Sequence, residues 1–470
     1  MGPVWSGSPS LVTTLVSPEE LNSPMNPSLW FRNAGWSLGI GLMMLMVTLK
    51  ASAEWKEKVL YSFQGDSDGY QPAGGVVFDK GGNLYGATSY NNSCENLLDC
   101  GAVFELSLRQ GAWVETTLHD FQGYPHQDGG VPVGGVILDG SGNVYGTTAY
   151  GGTGSCVLLG TTVGCGTVYE LSPPTQKGGK WMYALLYNFQ GGKDGLFPWG
   201  NLVFDKLGNL YGATQFGGGK GTTCNQYFGG NCGTLFKLSP PKQKGGKWAE
   251  RILHSFAGGT DGANPNGGLT FDTNGTIYGT TFSGGNQSCH CYGTVFKLIP
   301  PAKQGGVWLE KRLHVFTGGS DGGQPSAGLI FDTRGSLYGV AGGGNISGGG
   351  IVFRLTPAKP GQWKETVLSW FSNSTWGPPI GGLVFDSAAN LYGTTIGGDK
   401  GGSVFELQQQ KGTGEKWKVT ILHTFAGIPD GIAPAAALVL DNGSLYGTTQ
   451  QGGAGNGCSD GCGTAFEVSP

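Results

Sequence analysis

Ten cysteines in this 470-residue chain fall into five close pairs with none left over: Cys94/Cys100, Cys156/Cys165, Cys224/Cys232, Cys289/Cys291 and Cys458/Cys462. Such pairs read as disulfide clips, each restraining a small loop that has no core of its own. Zinc is the rival for Cys289-His290-Cys291, but a structural zinc site needs a second ligand pair, and none lies nearby in the sequence. A Cys-x-Cys bridge is also the most strained of the five. Asp-Gly recurs at Asp68, Asp128, Asp194, Asp261, Asp321 and Asp430, with Ser374-Thr375-Trp376 in its place once. A carboxylate ring would suit Ca²⁺, yet one Asp per loop falls short of its oxygen-rich shell, and a turn explains the element. His119, His254, His314 and His423 share one slot that Tyr61, Tyr187 and Ser369 fill elsewhere, an interchange that argues against a metal site. Glu57, Glu115, Glu250, Glu310 and Glu365 follow a repeated Trp at a fixed offset and read as structural. No nucleophile elbow, metalloprotease motif, P-loop or spaced dinucleotide fingerprint is present. The sequence therefore assigns no catalytic residue, no metal and no cofactor.

The elements that position these residues come from one long repeat. GGVVFDKGGNLYGAT, starting at Gly74, returns as GGVILDGSGNVYGTT, GNLVFDKLGNLYGAT, GGLTFDTNGTIYGTT and three further copies. Their shared Asp is Asp79, Asp139, Asp205, Asp272, Asp332, Asp386 and Asp441. Each unit holds four candidate strands, A to D, which in the first unit are 75–78, 84–88, 102–106 and 113–121. The A-to-B link, Asp-x-x-Gly-Asn, is a tight turn. Strand C has apolar residues on both faces, so one sheet alone would expose half of them; stacking in a closed ring buries both. The expectation is an all-β, seven-bladed β-propeller of four-stranded antiparallel blades, with an open β-solenoid as the alternative. A complete strand D, 55–63, precedes the first unit, and the last unit stops after its strand C, 463–468. A ring repairs both defects if these segments pair.

The consensus W-x-E-x-x-L-H-x-F, D-G-x-x-P, G-G-L-x-F-D-x-x-G-N-L-Y-G-T-T and G-T-V-F-x-L-S-P, covering about residues 54–470, resembles the bacterial GloVer-repeat proteins. That resemblance implies export. Many members carry a C-terminal sorting anchor, and because this chain ends within a repeat at Pro470 the resemblance does not imply surface attachment. A weaker likeness, in strand order and the F-D-x-x-G-N-L-Y element, is to NHL-type propellers, some of which are enzymes.

The apolar run Trp36 to Leu49, with Arg32 before it and Ala51-Ser52-Ala53 after it, reads as a signal peptide. Residues 1–53 are thus a leader, translation starting at Met25 and cleavage following Ala53, with the repeats in 54–470. The run is shorter than the roughly 20 residues of a membrane anchor, so no membrane span is expected in the mature chain. The protein is expected to be secreted or held in the cell envelope, where disulfides persist. Net charge is -4 and only 13% of residues are charged, which excludes a polyanion-binding field and hence nucleic acid. Aromatic content of 11% argues against disorder.

In such blades the B-to-C and D-to-A links emerge on one face, where unrepeated aromatic and His residues gather. The candidate ligand-binding residues are Trp199, Trp376, His126, Phe197, Tyr227 and Tyr70. Exposed rings with few charges suit a carbohydrate, or a protein partner. The expected role is a monomeric, non-enzymatic binding protein. The alternatives are a propeller lyase or hydrolase with two carboxylates in its axial channel, and a structural protein of the envelope or matrix.

Overall fold

The Asp of each F-D-x-x-G-N segment ends a strand after two residues and starts the next. In the first blade, Asp79 Oδ1 accepts the N–H groups of Gly81 and Asn83, while Oδ2 accepts Asn83 Nδ2 and the Tyr85 hydroxyl. The pattern recurs at Asp139, Asp205 and Asp386. The computed structural model describes residues 54–470 except 92–99, 177, 220–231, 244, 287–291, 304, 344–348, 360, 399 and 411–415. The leader expected over 1–53 lies outside the described residues.

Seven antiparallel four-stranded blades form a β-propeller. Blade one comprises Val77–Phe78, Leu84–Thr88, Gly101–Arg109 and Ala112–Phe121. Blade seven takes Val439–Asp441, Ser444–Thr449 and Thr464–Ser469 from the end of the chain and Lys56–Ser62 from its beginning. That last strand pairs as anticipated, with Lys56 opposite Ser469 and Ser62 opposite Thr464. The described residues contain no α-helix, and none of their helices is long and apolar enough to cross a membrane.

The apolar core is divided into seven clusters, one in each seam between neighbouring blades. Phe63 of blade seven meets Phe104 of blade one edge-on at 4.9 Å, both fully buried. The L-Y-G motif needs its Gly because a Cβ on Gly86 would stand 2.4 Å from the Phe104 ring. Each strand-B Tyr supports the next blade's strand-D Trp, as in Tyr85 with Trp181 at 6.0 Å and Tyr392 with Trp55 at 6.1 Å.

A second seal runs along the rim. The Pro that precedes each strand A lies over the Gly that opens strand C of the preceding blade; a Cβ on Gly463 would lie 2.6 Å from Pro72 Cδ. The residue before that Pro is Gln71, Val131, Phe197, Asn264, Gln324 or Ala433, each with φ between +54° and +58°. Its N–H donates backward across the seam, for example Gln71 to Cys462 and Val131 to Cys100 at 2.9 Å. Blade six begins with Gly377-Pro378-Pro379 instead, and Pro378 has no N–H to give.

Candidate functional site

The D-to-A segment pairs with the start of the B-to-C loop at Tyr70 with Tyr90, Gly130 with Tyr150, Ala263 with Ser283, Gly323 with Gly343, Pro379 with Thr395 and Ile432 with Gln451. Leu196 and Phe216 do the same in blade three. The two sets of links therefore share one face. Among the described residues, the clips with both cysteines in view there are Cys156–Cys165 and Cys458–Cys462. The first holds a hairpin, Val157–Leu158 with Thr161–Thr162, whose tip Leu159 is 94% exposed. Cys100 and Cys232 are disulfide-bonded, while the partners expected for them, Cys94 and Cys224, lie outside the described residues, as do Cys289/Cys291 and Tyr227.

The candidate aromatic residues separate by environment. Phe197 is 2% exposed. Its ring packs edge-on against Tyr150 and Phe216, and its N–H donates to the Cys165 carbonyl at 3.0 Å. It fills the rim slot of blade three, where the backbone conformation repeats from blade to blade and the side chain here packs into the core. Tyr70 is half-buried and stacked on Tyr90 at 5.5 Å. Trp376 is half-buried with its ring 6.0 Å from that of Phe371. His126 is exposed, and Trp199 is 36% exposed.

Trp199 stands at the axis. Two small residues open every inner strand, Gly74-Gly75, Gly134-Gly135, Gly200-Asn201, Gly267-Gly268, Ala327-Gly328, Gly381-Gly382 and Ala436-Ala437. A Cβ on Gly134 would lie 3.1 Å from the Gly200 carbonyl oxygen and one on Gly75 2.9 Å from that of Ala437, and the Thr448 hydroxyl donates to the Gly74 carbonyl at 3.1 Å. These pairs thus make two rings around the axis, and they contain no ionisable side chain. The residues just before them are Ala73, Val133, Trp199, Asn266, Ser326, Ile380 and Ala435, so Trp199 is the one aromatic residue among the seven equivalent positions. Beside it the Asn201 Oδ1 accepts the Gly135 N–H at 2.6 Å, and the Asn266 Oδ1 is buried without a hydrogen bond.

The Asp-Gly carboxylates do more than turn the chain. Each accepts a backbone N–H at the end of strand D, such as Gln64 to Asp68 at 2.8 Å and Ala426 to Asp430 at 2.9 Å. Each also meets the shared slot on its own strand D: Tyr61 to Asp68 at 3.0 Å, Tyr187 to Asp194 at 2.6 Å, His119 to Asp128 at 3.2 Å and His423 to Asp430 at 3.1 Å. A β-bulge at the preceding Leu, such as Leu118 or Leu60, re-aims that slot. The fixed-offset Glu of the next blade then faces the pair. Burial, reinforced by the neighbouring Asp, pushes Glu57, Glu250, Glu310 and Glu365 up to about 7. Burial does the same for Glu115, against the Thr117 hydroxyl that donates to it. Where Ser369 fills the slot and Asp is missing, the facing strand carries Val419 instead of Glu. This co-occurrence is visible in the sequence, but only once the ring order says which strands face each other.

A search of the curated proteins finds no match. Among solved structures the chain is similar to the PQQ-bound aldose sugar dehydrogenase from Streptomyces coelicolor, at 13% identity over 89% of this chain and 98% of that one, with a TM-score of 0.41. It is similar also to a protein from Lactobacillus plantarum, at 14% identity over 77% and 86%, with a TM-score of 0.47. A gluconolactonase from Xanthomonas campestris matches at 14% identity over 72% and 85%, with a TM-score of 0.36. At such identities the likeness concerns the fold alone. The profile of the Gloeobacter/Verrucomicrobia repeat matches residues 46–223, 98–304, 155–373 and 220–466. With these overlapping matches running through all seven blades, the chain belongs to the Gloeobacter/Verrucomicrobia repeat family.

Proposed function

We propose that this is an exported binding protein that holds a neutral carbohydrate over the axial mouth of its clipped-loop face. The carrying observation is Trp199, an exposed indole at a position where the other blades place Ala73, Val133, Asn266, Ser326, Ile380 and Ala435. Seven-fold repetition explains packing; a single departure at the axis is what a ligand requires. Indole faces stack on sugar rings through their apolar C–H surface, and the amides of Asn201 and Asn266 add donors and acceptors without charge. Export rests on the leader at 1–53 and on the disulfides, which persist outside the reducing cytosol. A hydrolase or lyase at the axis would need two carboxylates there, and the axial rings offer none.

The test is a glycan screen of purified residues 54–470 with Trp199→Ala and Trp376→Ala. Binding lost in the first variant and kept in the second supports the reading, since Trp376 leans on Phe371 in a seam. Absence of binding to any glycan, or binding unchanged by Trp199→Ala, overturns it.

A further inference from the structure

We propose that His423, Asp430 and Glu57 bind one divalent transition-metal ion of the Zn²⁺ class, which clamps the closing strand of the ring to blade six. His423 lies on strand D of blade six, Trp417–Thr424, and Asp430 follows in the loop to blade seven. Glu57 lies on Lys56–Ser62, the strand that seals the propeller. Their candidate donor atoms all lie within 4.8 Å of one another, and among the described residues this is the group of side chains that converges so. Metal–ligand bonds of about 2.0–2.2 Å hold donor atoms roughly 3–4 Å apart, so a small closure suffices.

The chemistry of the trio favours an ion. His423 Nε2 stands 3.1 Å from Asp430 Oδ2, so a proton now joins the atoms that an ion would bridge in its place. Glu57 Oε1 is buried and takes no hydrogen bond. Among the described residues, no Lys or Arg forms an ion pair with either carboxylate. One imidazole with two carboxylates suits Zn²⁺ and its first-row neighbours, whereas Ca²⁺ and Mg²⁺ prefer all-oxygen shells. The His423 and Asp430 side chains are 22% and 18% exposed, which leaves an entry path and room for water to complete the shell.

The other seams supply internal controls. Tyr61 and Tyr187 occupy the His423 position in two of them and hydrogen-bond their Asp directly. His423→Tyr therefore imports a residue this position already accommodates in the same fold. The three ligands come from two adjacent blades, Glu57 from one and His423 and Asp430 from the other, and not from the repeated slot alone.

The experiment takes the untagged exported chain, stripped with EDTA, and titrates it with Co²⁺ and then Zn²⁺. The expected result is a saturable visible band from Co²⁺ that Zn²⁺ displaces. Binding should fall by one ion per chain, or weaken at least tenfold, in His423→Tyr and in Glu57→Gln. Zn²⁺ should raise the melting temperature of the parent chain but not of His423→Tyr. Melts recorded before metal addition establish that each variant is folded; should Glu57→Gln fail to fold, His423→Tyr decides alone. No saturable binding, or a stoichiometry and affinity that either folded variant leaves unchanged, overturns the proposal.

Discussion

Glu250→Gln should stabilise the propeller above neutral pH and leave it unchanged in acid. Glu250 on strand D of blade three faces Asp194 and Tyr187, and burial, aided by Asp194, raises its carboxyl from 4.5 to about 7. The folded value lies above the unfolded one, so the contribution of this group is fully present below about pH 4.5 and is lost as pH rises through about 7. At about 1.4 kcal/mol for each tenfold change in proton affinity, the limit is about 3 kcal/mol. Because the side chain is only half-buried, solvent screening reduces this to about 1–2 kcal/mol. Gln copies the protonated carboxyl in shape and cannot ionise. With an unfolding entropy of about 2.1 cal/mol/K per residue, a chain of this size gains about 1–2 °C in melting temperature at pH 8.5 and nothing at pH 4. Adding Glu115→Gln, which lies in a separate seam facing Asp68, should roughly double the gain. The assay is a series of thermal melts between pH 4 and 9. An offset between parent and variant that is the same at every pH, or a variant less stable at pH 8.5, refutes the reasoning.

Gly463→Ala should loosen the ring at its junction with blade one. At φ +99° the new Cβ would lie 2.4 Å from the Thr449 carbonyl oxygen and 2.6 Å from Pro72 Cδ, a loss of about 2–4 kcal/mol read from denaturant midpoints. Replacing Cys156 and Cys165 together by Ser should raise amide exchange in the 157–162 hairpin; chain entropy sets a limit of about 2–3 kcal/mol for so short a loop. Unchanged exchange there would mean that the hairpin is held by its packing instead.

The ring, its seven blades and its sealing strand were legible because a long motif returns seven times and because an unpaired strand D and a missing one mark the two ends of the repeat array. The rim slot was not. Gln71, Val131, Phe197, Asn264, Gln324 and Ala433 have no side-chain feature in common; what they share is a left-handed backbone and an N–H pointed across the seam. Phe197 therefore looked like an unrepeated ring in a loop although its position is repeated in every respect but side chain. The facing of Glu57 and His423 was hidden differently. Both belong to repeated positions, but which strands meet is fixed by the closed ring order, and the two residues lie near opposite ends of the chain.

Pro378 gives the circle a direction of weakness. Six joints hold the next sector by a donated amide hydrogen, and five of those six also carry a cluster with Glu; the joint between the fifth and sixth sectors has a proline, Ser369 and Val419 where those five have a donor, an imidazole or phenol, and a glutamic acid. A closed hoop under thermal strain parts at its least-tied joint, and here that joint lies well away from the seventh sector, where the first and last described strands are stitched together. Reversible gaping there would open the hoop while its first and last described strands stay paired, leaving the closing seam intact.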